Sequence, residues 1–169
     1  ITEECLAYQA DDSVLCSQKS DDWRQKLVPL SNYGYWQPNF PEDIDAIKTE
    51  LMNRGPLITY FLATGSFSRW GSSHHSPDDY YPFEEADGAN HAVVIVGFKD
   101  DPSIENGGYW ICKNSWGTEW GYNGFFNIEY GSLNIDDIEI TWSEYAPGPI
   151  VDCSLNPFNP MAGEEISFT

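Results

Sequence analysis

The chain has 169 residues, 41% hydrophobic and 15% aromatic, which is enough apolar material for one packed domain or one domain with the edge of another. Against 8 basic residues stand 27 acidic ones, a formal charge of −19 and a pI near 4.1 that repels phosphate backbones and anionic lipid, so nucleic acid is excluded as a partner. No apolar run approaches the ~20 residues of a membrane-spanning helix, and the N-terminus shows neither the basic nor the apolar region of a signal peptide.

The chain opens on Ile1 rather than Met and reads as a piece of a longer precursor. The acidic excess reads as a solvated coat suited to a salty or extracellular setting, with structural calcium as the sharper alternative and no other cofactor expected. Residues 1–40 show little periodicity and many turn formers, an irregular segment wrapped over a neighbour. Within it Cys5 and Cys16 flank a polar loop and are candidates for a disulfide in an oxidising compartment. With no CxxC pair and no His at zinc-finger spacing, a structural metal is not expected.

A helix is predicted over 41–54. Pro41 suits its first turn, Glu42 and Asp43 its positive end, Ile44, Ile47 and Leu51 make one apolar stripe, and Arg54 with Gly55 supplies the stop. From Pro56 the pattern turns to strands at 57–63, 91–98, 109–114, 124–130 and 135–142, each bounded by Gly, Pro, Asn or Asp. One helix with such strands predicts an α+β fold built on an antiparallel sheet or partial barrel. The connection over 63–90 is about as long as a compact domain permits unless it is functional. Cys112 reads as a buried strand thiol. Residues 144–169 begin as a Pro/Gly linker and end on a turn and an alternating strand. That end resembles the opening of an Ig-like repeat of the PKD type, the alternative being a tail of the same domain.

Of three histidines, His74 and His75 sit in a polar loop and read as exposed residues without a role. His91 differs, because it heads the apolar run "HAVVIVGF" and its ring should emerge at the end of a buried strand. An imidazole acting as a base needs its second nitrogen held by an acceptor, and Asn114, closing the strand "YWICKN", can supply one if the two strands are neighbours. A neutral amide suits a histidine that shares charge with a thiolate. Trp116 would roof the pair, with Gly117, Gly121 and Gly124 letting the backbone fold under Trp116 and Trp120.

"NHAVVIVGF" followed by "YWICKNSWGTEWGYNGFFNI" resembles the C-terminal half of the papain-like cysteine proteases, the group that includes the cathepsins. "RGPLITYFLA" is similar to that family's strand after the helix. "ITEECLAYQADDSVLC" is similar to its Glu/Tyr-Pro-Tyr/Cys loop, with Leu6-Ala7-Tyr8 replacing the tripeptide. The resemblance covers about residues 1–143 and implies the right-hand β lobe of a two-lobed fold. It makes His91 the catalytic histidine, Asn114 its orienting residue, Trp116 and Trp120 the wall beside the leaving-group subsites, and Tyr60, Ala89 and Asn90 the substrate pocket. Tyr60 is bulky where the family carries small or medium aliphatic residues, which implies a shallow pocket preferring Val, Pro or Ala; a core tyrosine turned inward is the alternative.

The family signature places its Cys about 130 to 150 residues before the His and Asn, hence roughly 40 to 60 residues before Ile1. No cysteine present has the neighbours it requires. The implied partners are therefore the N-terminal lobe of the same precursor, carrying the nucleophile, and peptide or protein substrates, in a secreted or cell-surface protein. The lobe's open side is expected to be apolar around His91, Trp36 and the strand from Leu57. The alternative function is a catalytically inactive papain-fold surface or matrix protein used for binding or assembly.

Overall fold

The computed structural model describes residues 15–22 and 30–145. The chain divides into a unit spanning Leu30–Tyr145 and another made of Ile1–Pro29 and Ala146–Thr169, whose described part holds a 3-10 turn at Cys16–Gln18. The Cys5–Cys16 pairing and the 146–169 tail lie outside the residues whose side chains are described.

The larger unit is α+β. Strands β1 (Leu30–Trp36), β2 (Leu57–Phe61), β3 (His91–Asp100), β4 (Gly108–Lys113), β5 (Phe125–Glu129) and β6 (Ile140–Tyr145) form one sheet in the order β1-β6-β2-β3-β4-β5. Every adjacent pair is antiparallel. Helix α1 (Ile44–Arg54) buries Ile47 and Leu51 and stops where Gly55, at φ 88°, donates its N–H to Leu51 O. It starts three residues later than the predicted 41, because residues 40–43 turn first and the Asp43 carboxylate accepts from the backbone N–H of Asn39 instead of capping the helix.

Three further expectations are corrected. A second helix, α2 (Gly65–Gly71), stands in the long connection, capped by Thr64, whose hydroxyl accepts from Phe67 N–H. The segment before α1 contains the edge strand β1, which has one partner and lies largely exposed, so it shows no half-buried alternation. The last strand begins at Ile140 rather than 135, since Ile135 and Asp136 are both buried where a strand would alternate.

Period-two alternation sorts β2 into two faces. Leu57, Thr59 and Phe61 are fully buried, while Ile58 is exposed and Tyr60 half-buried on the opposite face. Within the strand that starts at Leu57, the outward-facing surface therefore runs through Ile58 and Tyr60. Trp36 packs against the core instead of lining the open face. The rest of the long connection is stitched onto β5. Tyr81 and Asn127 pair through the backbone, the Asn127 amide donates to Pro77 O and Asp79 O, and buried Glu129 accepts from Phe83 N–H and Asn106 N–H.

Asp136 is 1% exposed and accepts from Trp110 Nε1–H at 2.7 Å and from Gly131 N–H. Burial pushes its carboxyl up to about 6 from the ordinary 3.8, against the downward pull of those hydrogen bonds. The folded state thus holds this proton more tightly than the unfolded chain. The stabilisation is full below the unfolded value and is lost as pH rises through about 6. We expect the unfolding free energy of wild type relative to Asp136→Asn to shrink by about 3 kcal/mol between pH 3.5 and 7. Denaturant titrations giving a pH-independent difference would contradict this.

Candidate active site

Sheet register brings the residues singled out at His91 and Asn114 to one place. His91 opens β3 opposite Phe61, the last residue of β2, and β4 runs antiparallel beside β3, with Asn114 one residue beyond its end. His91 Nε2 lies 2.8 Å from Asn114 Oδ1. The same oxygen accepts from Ser115 N–H at 2.8 Å, and a backbone N–H can only donate. That identifies the atom as oxygen, which in turn puts the proton of the neutral ring on Nε2. Nδ1 then carries the lone pair, with no hydrogen-bond partner among the described residues. Asn114 is 5% exposed, and its Nδ2 is buried without a hydrogen-bond partner among the described residues.

Aromatic rings fix the imidazole on two sides. Trp116 lies 4.7 Å from it at 31°, and Phe61 meets it edge-on at 5.7 Å. Trp116 is 37% exposed and forms the visible wall, whereas Trp120 is buried behind it, 4.9 Å away at 83°, with Nε1–H donated to Ser68 O. Phe67 of α2 touches Trp116, Trp120 and Phe126, so the helix missed in the sequence is what supports the wall. The loop beneath needs glycine: Gly121 has φ 61°, and a Cβ there would lie 2.1 Å from Phe125 O.

Tyr60 pairs with Ala92 on the sheet's outer face, beside the strand end that carries His91. Its neighbours Thr59 and Phe61 hold the core, so Tyr60 is not the inward-turned core residue. Ala89 is exposed. The Asn90 amide is engaged in both directions with Ala63, Oδ1 accepting from its N–H at 2.7 Å and Nδ2 donating to its carbonyl at 3.3 Å, which clamps the end of β2 to the start of β3.

His74 and His75, expected to lack a role, are both engaged. The His74 ring stacks on Trp70 at 4.8 Å with Nδ1 against Trp70 O, and His75 Nδ1 lies 2.7 Å from Gly121 O. Spacing alone could not reveal the second, because its partner is 46 residues away. Cys112 is fully buried, and burial pushes its thiol well above the ordinary range with Asp136 adding to the shift, so it is no nucleophile. Among the described residues, no group of three or more His, Cys, Asp and Glu side chains could hold a metal ion, and no helix is long and apolar enough to cross a membrane.

The sequence model of the papain family cysteine proteases matches residues 1–146. A cathepsin B-like protein (CP2) of Giardia intestinalis is 32% identical over 149 residues, 86% of this chain and 45% of its own length. Cathepsin C of Schistosoma mansoni is 30% identical over 131 residues, 75% of this chain and 28% of its own. Among solved structures, a digestive procathepsin L2 proteinase from Tenebrio molitor larval midgut superposes with a TM-score of 0.59 at 25% identity, covering 85% of this chain and 42% of the other. The chain therefore spans less than half the length of these relatives.

Proposed function

The chain belongs to the papain family of cysteine proteases, and on that premise we propose that it supplies the histidine and asparagine of a cysteine endopeptidase whose nucleophilic thiol lies on an N-terminal lobe of the same precursor. The observation that carries this reading is the His91 ring, held at Nε2 by Asn114 Oδ1 at 2.8 Å, with the lone pair of Nδ1 left for another group. The thiol gives its proton to Nδ1, and the thiolate attacks the peptide carbonyl carbon. The C–N bond then breaks as the imidazolium returns that proton to the leaving amine, forming a thioester. Water, deprotonated by the same Nδ1, hydrolyses the thioester and regenerates the thiol. Asn114 keeps the ring plane and proton position constant through both half-reactions, and Trp116 keeps water from the bond between them. The secreted or cell-surface setting belongs to the same proposal.

Tyr60, with Ala89 at the rim, bounds the pocket for the second side chain before the scissile bond, and the phenol makes that pocket shallow. Asn90 supports the pocket from behind by its clamp on Ala63. A peptidyl epoxide reads both proposals at once in the complete protein. Mass analysis should place the label on a cysteine upstream of Ile1, with Val at the second position labelling faster than Phe, and Tyr60→Ala should reverse that order. Stoichiometric label on Cys5, Cys16, Cys112 or Cys153 would sink the first proposal, and Phe preferred by wild type would sink the second. No label at all would favour a binding or assembly role for the same fold.

A further inference from the structure

We propose that His75 is a positioning residue for the reaction, a latch that holds the Trp116-bearing loop over His91. The loop between β4 and β5 carries Asn114, Trp116 and Trp120, and three hydrogen bonds tie it to the α2 segment. Trp120 Nε1–H is donated to Ser68 O at 3.1 Å, Gly121 N–H to Gly71 O at 2.8 Å, and His75 Nδ1–H to Gly121 O at 2.7 Å. The first two end on backbone oxygens of the α2 segment, so on that side the imidazole is the tie that a substitution removes. Gly121 thus donates to the last residue of α2 and accepts from His75 four residues on, which fixes the peptide planes on both sides of its Cα.

The chemistry of the tie is one-directional. A carbonyl oxygen only accepts, so the His75 ring donates Nδ1–H, and it does so whether neutral or protonated. What the latch holds is the wall: Trp116, 37% exposed, rests on Trp120 and Phe67 and faces His91 at 4.7 Å. A Cβ at Gly71 would lie 2.1 Å from the Trp120 ring, so the indole sits directly on that backbone, and a displaced Gly121 shifts it together with the Trp116 ring resting on it. Substrate residues on the leaving-group side would lose their wall while the His91–Asn114 bond persists.

This rests on the papain-type reading of His91, and the test separates the two. In the complete protein, His75→Ala should speed amide exchange at Gly121 and through 115–119 by about tenfold or more, and His75→Asn, whose carboxamide N–H can replace Nδ1–H, should restore protection. With peptides extending beyond the scissile bond, His75→Ala should lower kcat/KM about tenfold, chiefly through KM, while a substrate with a small aryl-amide leaving group changes less than about twofold. Unchanged exchange in His75→Ala, or equal loss on both substrates, overturns the latch. If wild type cleaves nothing, the peptidase reading fails and the exchange ratio alone decides whether His75 holds the loop.

Discussion

His91→Ala in the complete protein should reduce kcat by a factor on the order of 10⁴ to 10⁶, the range seen when a general base that works as a unit with its nucleophile is removed. The expectation rests on what the ring alone can do. Among the described residues it is the one titratable side chain hydrogen-bonded to Asn114, and Nδ1 has no competing partner. Asn114→Ala should be milder, about a hundredfold, because the base survives and loses only its orientation. It leaves the Nε2–H and the Ser115 N–H without their shared acceptor, so the ring can turn about its bond to Cβ and exchange protons between its nitrogens. Activity measured against active sites titrated with the epoxide separates loss of chemistry from loss of folded protein. Equal turnover by wild type and His91→Ala would end the enzymatic reading, and an Asn114→Ala loss as large as that of His91→Ala would show that the amide does more than orient.

How much of this was readable beforehand depended on the range of the interactions. The β3 and β4 strands are apolar runs with sharp ends, so the proximity of His91 and Asn114 followed once those strands were taken as neighbours, and their register places them so. The roofing ring could be named because Trp116 is two residues from Asn114. What was not readable came from elements whose burial pattern is not periodic. Helix α2 has seven residues with glycine at both ends, too few turns for a stripe, and its one local signal was Thr64 three residues ahead of Phe67. Strand β1, paired on one side, is mostly solvent-exposed and shows no alternation to detect. The ties of His75 to Gly121 and of Glu129 to Phe83 join residues 46 positions apart and follow from the path of the chain, not from spacing. Which alternate residues of the strand starting at Leu57 face outward follows from the sheet: Leu57, Thr59 and Phe61 are buried, and Ile58 is exposed.

The outward face of β2 sets the last expectation. On the outer face, Tyr33 and Tyr35 of β1 are 72% and 71% exposed, Ile58 of β2 is 37% exposed, and cross-strand pairing places Thr141, Val94 and half-buried Tyr60 among them. Single exposed apolar residues are ordinary, but aromatic and branched side chains on consecutive strands make a continuous patch of the kind that marks an interaction surface. The patch lies on the face that bears Tyr60, next to the strand end carrying His91, so a lobe covering it would also bring its thiol toward Nδ1. An interface of that type resembles a domain core cut in half and holds even when the connecting chain is nicked. Residues 1–169 produced alone should therefore hydrolyse no peptide and should bind a hydrophobic dye or aggregate, whereas the complete protein should hydrolyse peptides, bind no dye and stay soluble. Replacing Tyr33, Tyr35 and Ile58 together by Thr should abolish dye binding by the isolated chain. In the complete protein it should weaken the hold between lobes, read as release of an N-terminal fragment after nicking of the connecting loop. A dye-free, monomeric 169-residue chain with its native outer face, or one that cleaves peptides unaided, would show that the sheet needs no covering lobe and that the nucleophile has been sought in the wrong place.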